Sequence, residues 1–475
     1  MNWMKPSKDM EKAYFAFAVI FILILSFIHS IPAYSNPSLG WDYAFYLFSL
    51  SNKTNLVQIM SDNTEPLYFT IFRPIASVFG DIQALQFSLF IMFFFLLFGF
   101  YLLCKQLKFK WYATLSVLVF LTFAPGINRI WFDEFRNFLA VAIFPYFIYF
   151  FFSKRKYSIY ISILLITLMA LAHRAFLLPL SAIVIFALVE KKYLIRMLKV
   201  FIPFAIITLL IINFGFGHKI ASVVSTSFVS SVILPNITAT FQDLYWFFFY
   251  NGIFIAPICF SLFYLKFDSN IKFWVVFLIG LTFAAILYDT DFGGRMKLLI
   301  SIPAAMILGI FINQWDSLKV DKRHLITIIL VAYTFAFLVF FGGYFLYTVT
   351  PTFSAKEADI LTNFDVKDNY LLLSSRLDYA SRYYSDVLPG HQLTTEWYNF
   401  TSVSVSDPKI QLFYGIGNWK QTARMIANGK DIYILWTSGD SIINQTTMNQ
   451  RIENGEIRLI LPNNGKEYLG ELNYK

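Results

Sequence analysis

The sequence predicts an all-α polytopic membrane protein that ends in a small α/β domain. Three observations carry that prediction. Of the 475 residues, 57% are hydrophobic and only 14% charged, whereas a soluble domain carries about a quarter charged residues; the mean hydropathy is +0.59. The apolar residues gather into successive runs of bilayer-crossing length. From about Thr350 to Lys475 the composition turns polar and mixed.

The first run, 14–32, has a basic flank and no small-residue cleavage pattern, which predicts a retained spanning helix. Further runs at 84–104, 111–125, 137–152, 158–172, 175–189, 200–216, 244–265, 273–288, 298–313 and 325–347 bring the total to about eleven transmembrane helices. Several are shorter than the ~20 residues of a perpendicular span, so some kink or extend past these limits. The stretch 158–189 is too long for one span, and "AHR" (Ala172 to Arg174) predicts a tight outer turn inside it. The alternative is one long tilted helix that buries His173. Charge favours the turn. With it, and with the N-terminus inside, the inner connections collect the clusters at Lys5–Lys12, Lys105–Lys110, Lys154–Lys156, Lys191–Lys199, Lys266–Lys272 and Lys319–Arg323, and the outer connections hold fewer cations. The same pattern accounts for the net charge of +9 without a nucleic-acid partner. Cys104 and Cys259 both lie in apolar runs, which excludes a disulfide framework and a cysteine metal site.

The tail alternates strand-like "YLLLSS" (Tyr370 to Ser375), "IYILWTS" (Ile432 to Ser438) and "IRLILP" (Ile457 to Pro462) with helix-like "RLDYASRYYSDV" (Arg376 to Val387). The expected division is a transmembrane part, 1–349, and a soluble part, 350–475, placed outside by the topology.

The inner loops carry plain cation clusters, which orientation explains. The outer connections differ. They hold Asp42 in "GWDYAFY", Glu65 before Pro66, "RIWFDEFRN" (Arg129 to Asn137), His173 with Arg174, and "YDTDFGGRMK" (Tyr288 to Lys297). Charge at membrane depth costs roughly 2.5–3.5 kcal/mol per residue on insertion scales, so it is kept where it serves a purpose. Such a set resembles an active site built from short loops on a helical scaffold. There is no P-loop, no HExxH and no Ser or Cys nucleophile motif. Carboxylates beside cations at a membrane face suit transfer of a group that leaves from a phosphate. One carboxylate deprotonates an acceptor hydroxyl while Arg or Lys neutralises the phosphate oxygens.

Each residue also has a plainer reading. Asp42 suits the N-cap of a helix starting at Tyr43, and Glu65–Pro66 is a standard helix start. Asp133, Glu134 and Arg136 can pair among themselves. His173 can be a hydrogen-bonded turn residue, and Arg174 a snorkelling anchor. Arg295 follows Gly293 and Gly294 and opens a helix, where close backbone approach and N-terminal amides favour anions. Asp289 and Asp291 could hold a divalent ion, Mg or Mn; no metal ligand and no certain cofactor is assigned.

The order of an acid in the first outer loop, a surface helix in "EPLYFTIF" (Glu65 to Phe72) and a polar C-terminal domain resembles the GT-C superfamily of membrane glycosyltransferases. The likeness implies a sugar donor linked to polyprenyl phosphate, a glycan, lipid or protein acceptor, and a plasma-membrane site facing outward. It implies Asp42 as catalytic base; the residues themselves add Glu65, as acceptor orienter or metal ligand, and Asp133 as further catalytic candidates, with Arg295, Arg136, Arg174, Lys297 and His173 as phosphate and sugar contacts. The first-loop acid is not in the paired Asp-Glu form of the protein O-mannosyltransferases. A weaker resemblance, to bacterial exopolysaccharide polymerases, rests on "DEFRNFLAVAIF" (Asp133 to Phe144), "SKRKYS" (Ser153 to Ser158), "MALAHRAFLLPL" (Met169 to Leu180) and "GGRMKLLISIP" (Gly293 to Pro303). A transporter or flippase is the rival from another class, but the sequence holds no repeat and its charges collect at one face.

Overall fold

The computed structural model describes residues 8–35, 43–51, 66–133, 135–173, 177–211, 237–262, 265, 268–287, 296–315, 322–342, 362, 370–374, 392–394, 411–412, 415–437, 445–460 and 467–474. Each predicted apolar run coincides with a helix. These are α1 (Lys8–Ser35), α4 (Asp81–Gln106), α5 (Trp111–Phe123), α7 (Phe135–Phe152), α8 (Ser158–Ala172), α9 (Leu177–Val189), α10 (Leu194–Ile211), α11 (Ile237–Leu262), α12 (Ser269–Leu287), α13 (Ser301–Gln314) and α14 (Lys322–Phe337). Between them lie α2 (Tyr43–Leu50), α3 (Leu67–Phe79) and α6 (Pro125–Asp133), and α14 continues into a π-turn at Leu338–Gly342. Five helices are by themselves long and apolar enough to cross a membrane, and α5 with α6 makes a sixth candidate as one bent span. The chain is a multi-pass membrane protein.

The stretch 158–189 is divided as the charges predicted, with α8 ending at Ala172 and α9 beginning at Leu177. Two compact units result, Met1–Pro37 with Asn55–Val349, and Ser38–Thr54 with Thr350–Lys475.

In the first unit α4 is the central helix. It starts with Asp81 and has Lys105 in its last turn, both of the sign that the helix dipole favours. It packs against α1, α3, α5 and α7, burying Phe93, Leu96, Leu97 and Phe100 completely. A second layer of packing joins α13 to α5, α11 and α12. Hydrogen bonds tie the basic end together. The Lys110 N–H donates to Asn313 Oδ1 at 2.7 Å. Arg196 Nη2 reaches the Phe150 carbonyl at 3.0 Å, and Lys272 Nζ pairs with Glu190 at 2.7 Å. The hydrogen bond from Lys272 holds the Glu190 carboxyl below its ordinary range.

The second unit contains the sheet, in the order β2 (Gln392–Thr394), β1 (Tyr370–Ser374), β3 (Asp431–Thr437), β5 (Glu467–Leu472), β4 (Ile457–Leu459). The β1 strand runs parallel to β2 and β3, while β5 is antiparallel to β3 and β4. Helices α15 (Trp419–Ala427) and α16 (Gln445–Glu453) supply Trp419, Ala423 and Met448 to a core with Leu373, Ile434 and Trp436. Alternation of apolar and polar side chains puts Ile432, Ile434 and Trp436 on that core face of β3. The predicted helix 376–387 lies outside the described residues.

Candidate active site

The end of the first unit opposite its basic connections is built around a broken helix. α5 runs apolar to Phe123, and Ala124 then takes the extended conformation that a following proline imposes (φ −66°, ψ 120°). Pro125 lacks the N–H that would continue α5 and is well placed in the first turn of α6. The axis turns by 56°, so 125–133, expected as part of an outer loop, is a helix bent off α5 and packed into the bundle. Ile127, Asn128, Ile130 and Trp131 on it are fully or almost fully buried. A Cβ added at Gly126 would run into the Leu298 main-chain carbonyl, so only glycine permits this approach. Gly126→Val is expected to lower the unfolding midpoint, a loss of about 1–3 kcal/mol, because the obstacle is backbone and cannot rotate away; thermal unfolding of the detergent-solubilised protein checks it.

That approach brings the segment carrying Lys297 against α6. The Lys297 side chain is buried, 3% exposed, and its carbonyl accepts a 2.8 Å hydrogen bond from Asn251 Nδ2 on α11. α6 also packs on α7, whose second residue is the half-buried Arg136. A cation in the first turn opposes the helix dipole, so Arg136 is not placed there by the dipole. Asn137 beside it is buried. His173, 3% exposed, ends α8 in an extended conformation, its N–H on the Met169 carbonyl at 2.9 Å.

Of the other predicted site residues, Asp133 is the last residue of α6, with its side chain beyond description. Asp42, Glu65, Arg174 and Arg295 lie outside the described residues, as do Glu134, Asp289 and Asp291. Their neighbours agree with the local expectations. A helix begins at Tyr43, directly after Asp42, and another at Leu67, after Glu65 and Pro66. α3 buries Tyr68, Phe69 and Phe72, and Tyr68 donates or accepts a 2.7 Å hydrogen bond with Ser88 of α4. Among the described residues no three His, Cys, Asp or Glu side chains gather in a metal-binding group.

Two residues here were not among the candidates. His29 of α1 and Asn128 of α6 are fully buried and joined by a 2.8 Å hydrogen bond from His29 Nε2 to Asn128 Oδ1. The imidazole stacks on Phe93 (3.7 Å, 11°) and meets the edge of Trp131 (4.4 Å, 80°). His29 Nδ1 and Asn128 Nδ2 have no hydrogen-bond partner among the described residues, and each such buried group costs about 1–3 kcal/mol. A lone ionisable residue in the first apolar run was the available signal.

The architecture is shared with ArnT from Cupriavidus metallidurans bound to undecaprenyl phosphate, at TM-score 0.58 and 10% identity, covering 98% of this chain and 98% of that one. The chain shares the fold of that protein. ArnT in the apo state matches at the same TM-score with 11% identity, over 97% of this chain and 98% of that one. No protein-family model and no curated protein matches the sequence.

Proposed function

We propose that the chain is an integral membrane glycosyltransferase that moves a sugar from a polyprenyl-phosphate-linked donor to an acceptor hydroxyl on the extracytoplasmic face. Asp42 removes the hydroxyl proton, and the oxygen attacks the anomeric carbon from the side opposite the phosphate. The bond from that carbon to the phosphate oxygen breaks, and polyprenyl phosphate leaves. Arg295, Arg136, Arg174 and Lys297 neutralise the phosphate, His173 contacts the sugar, and Glu65 and Asp133 orient the acceptor. The configuration inverts. In this reading 1–349 carries the chemistry, 350–475 helps to hold the acceptor, and the protein sits in the plasma membrane with its N-terminus in the cytoplasm.

The observation that carries the reading is the likeness over 98% of both chains to a protein solved with undecaprenyl phosphate. Buried Lys297 and half-buried Arg136 at one end of the bundle support it. Mass spectrometry of lipid-linked glycans and surface polysaccharide in a deletion strain tests it. A product lacking one sugar, with its unmodified acceptor accumulating, is expected. Unaltered glycans with a blocked export step would favour a flippase, and shortened chains on diphosphate-linked oligosaccharides would favour a polymerase.

A further inference from the structure

We propose that His29 and Asn128 are positioning residues for this transfer, forming a buried imidazole–amide latch that holds the bent helix α6 against α1 and α4. The inference rests on the functional reading above for its consequence, but its geometry stands alone. α6 contributes both contacts to His29, the Asn128 Oδ1 that accepts its 2.8 Å hydrogen bond and the ring of Trp131. The opposite face of the ring lies flat on Phe93 of α4, and Trp131 Nε1 donates to the Leu89 carbonyl of the same helix at 3.3 Å. The imidazole and the Trp131 indole therefore join α1, α4 and α6 at this point. α6 has no continuous helix to hold it, because the break at Ala124 and Pro125 severs its hydrogen bonds to α5. What fixes its place fixes Arg129 on it, and through packing on α7 the half-buried Arg136.

The pair is poorly suited to a purely structural role. Two polar atoms, His29 Nδ1 and Asn128 Nδ2, are buried with no partner among the described residues, and an apolar pair of similar shape would pack there without that desolvation loss. A directional polar pair at that cost serves geometry rather than stability. A helix that must hold cations within a fraction of an ångström of a phosphate needs a directional tie, which an apolar contact does not provide.

The test uses the full-length protein in detergent or nanodiscs, with His29→Leu, Asn128→Leu, the double variant, and the exchanged pair His29→Asn with Asn128→His. Hydrogen–deuterium exchange is read on the amides of α6, with α9 as internal reference. Transfer is read as kcat and KM for a synthetic polyprenyl-phosphate sugar. Expected are at least tenfold faster exchange in α6 for each Leu variant, unchanged exchange in α9, and a melting temperature held or raised in the double variant. A tenfold or larger fall in kcat with donor KM unchanged, partly restored in the exchanged pair, completes the prediction. Unchanged α6 exchange overturns the latch, and loosened α6 with full kcat overturns its positioning role. Absence of transfer by the unaltered protein sinks the functional reading instead and leaves the exchange result to decide the latch.

Discussion

Replacing Asp42 by Asn is expected to lower kcat for sugar transfer by about 10²–10⁴-fold, the usual worth of a positioned general base. The substitution separates the two roles open to this residue. A helix starts at Tyr43, and Asn caps a helix start as well as Asp does. The variant therefore keeps the local fold while losing the only property a base requires, an ionised carboxylate that accepts a proton. Donor affinity should be retained, because the phosphate is held by cations rather than by Asp42. Expression, melting temperature and donor KM near those of the unaltered protein, with transfer nearly gone, are the expected set, measured by steady-state kinetics on purified protein. Near-normal turnover would reduce Asp42 to a cap.

The second large effect concerns the α/β unit. Arg451 on α16 is only 4% exposed, and its Nε donates to Glu456 at 3.0 Å. Its Nη1 donates to the Leu412 carbonyl at 2.8 Å, and the guanidinium lies 4.9 Å from the centre of the Trp419 ring. Burial pushes its pKa down, and the hydrogen bond from Arg451 to Glu456 opposes that. Arg451→Ala removes all of these at once. It leaves a buried carbonyl and a half-buried carboxylate without their cation and opens space under Trp419. Breaking a buried pair in this way costs about 3–5 kcal/mol, a large share of the stability of a unit this small. Limited proteolysis is expected to cut the tail of the variant at temperatures where the unaltered tail resists, with the helical bundle intact. Equal resistance would show that the cluster contributes little.

The helical part was legible because every membrane helix must satisfy its own backbone, so apolar runs and helices coincide. All the predicted runs coincide with helices, and the division after Ala172 followed from the length of 158–189 and the break at "AHR", with charge bias favouring it over one long helix. The bend into α6 was not legible. "PGINRIWFD" reads as a polar connection, and only packing of Ile127, Ile130 and Trp131 against the bundle makes it a buried helix. In the tail β1, β3 and β4 were visible as apolar strands. β2 is three residues long, β5 has the mixed sequence "EYLGEL", and α15 shows its apolar face only at helical spacing within a polar stretch. At the site the candidates were chosen by charge, and of these Lys297 is buried and Arg136 half-buried. The same criterion passed over His29 and Asn128, whose burial and mutual contact are not written in one stretch of sequence.

The most direct measurement of the central claim is sugar transfer by the purified protein in liposomes, with a labelled sugar on polyprenyl monophosphate compared with an oligosaccharide on polyprenyl diphosphate. The account predicts that label leaves the monophosphate donor, that one polyprenyl phosphate is released per sugar moved, and that the product has the inverted linkage. Transfer from the diphosphate donor alone, or movement of lipid across the bilayer with its sugar still attached, would contradict it.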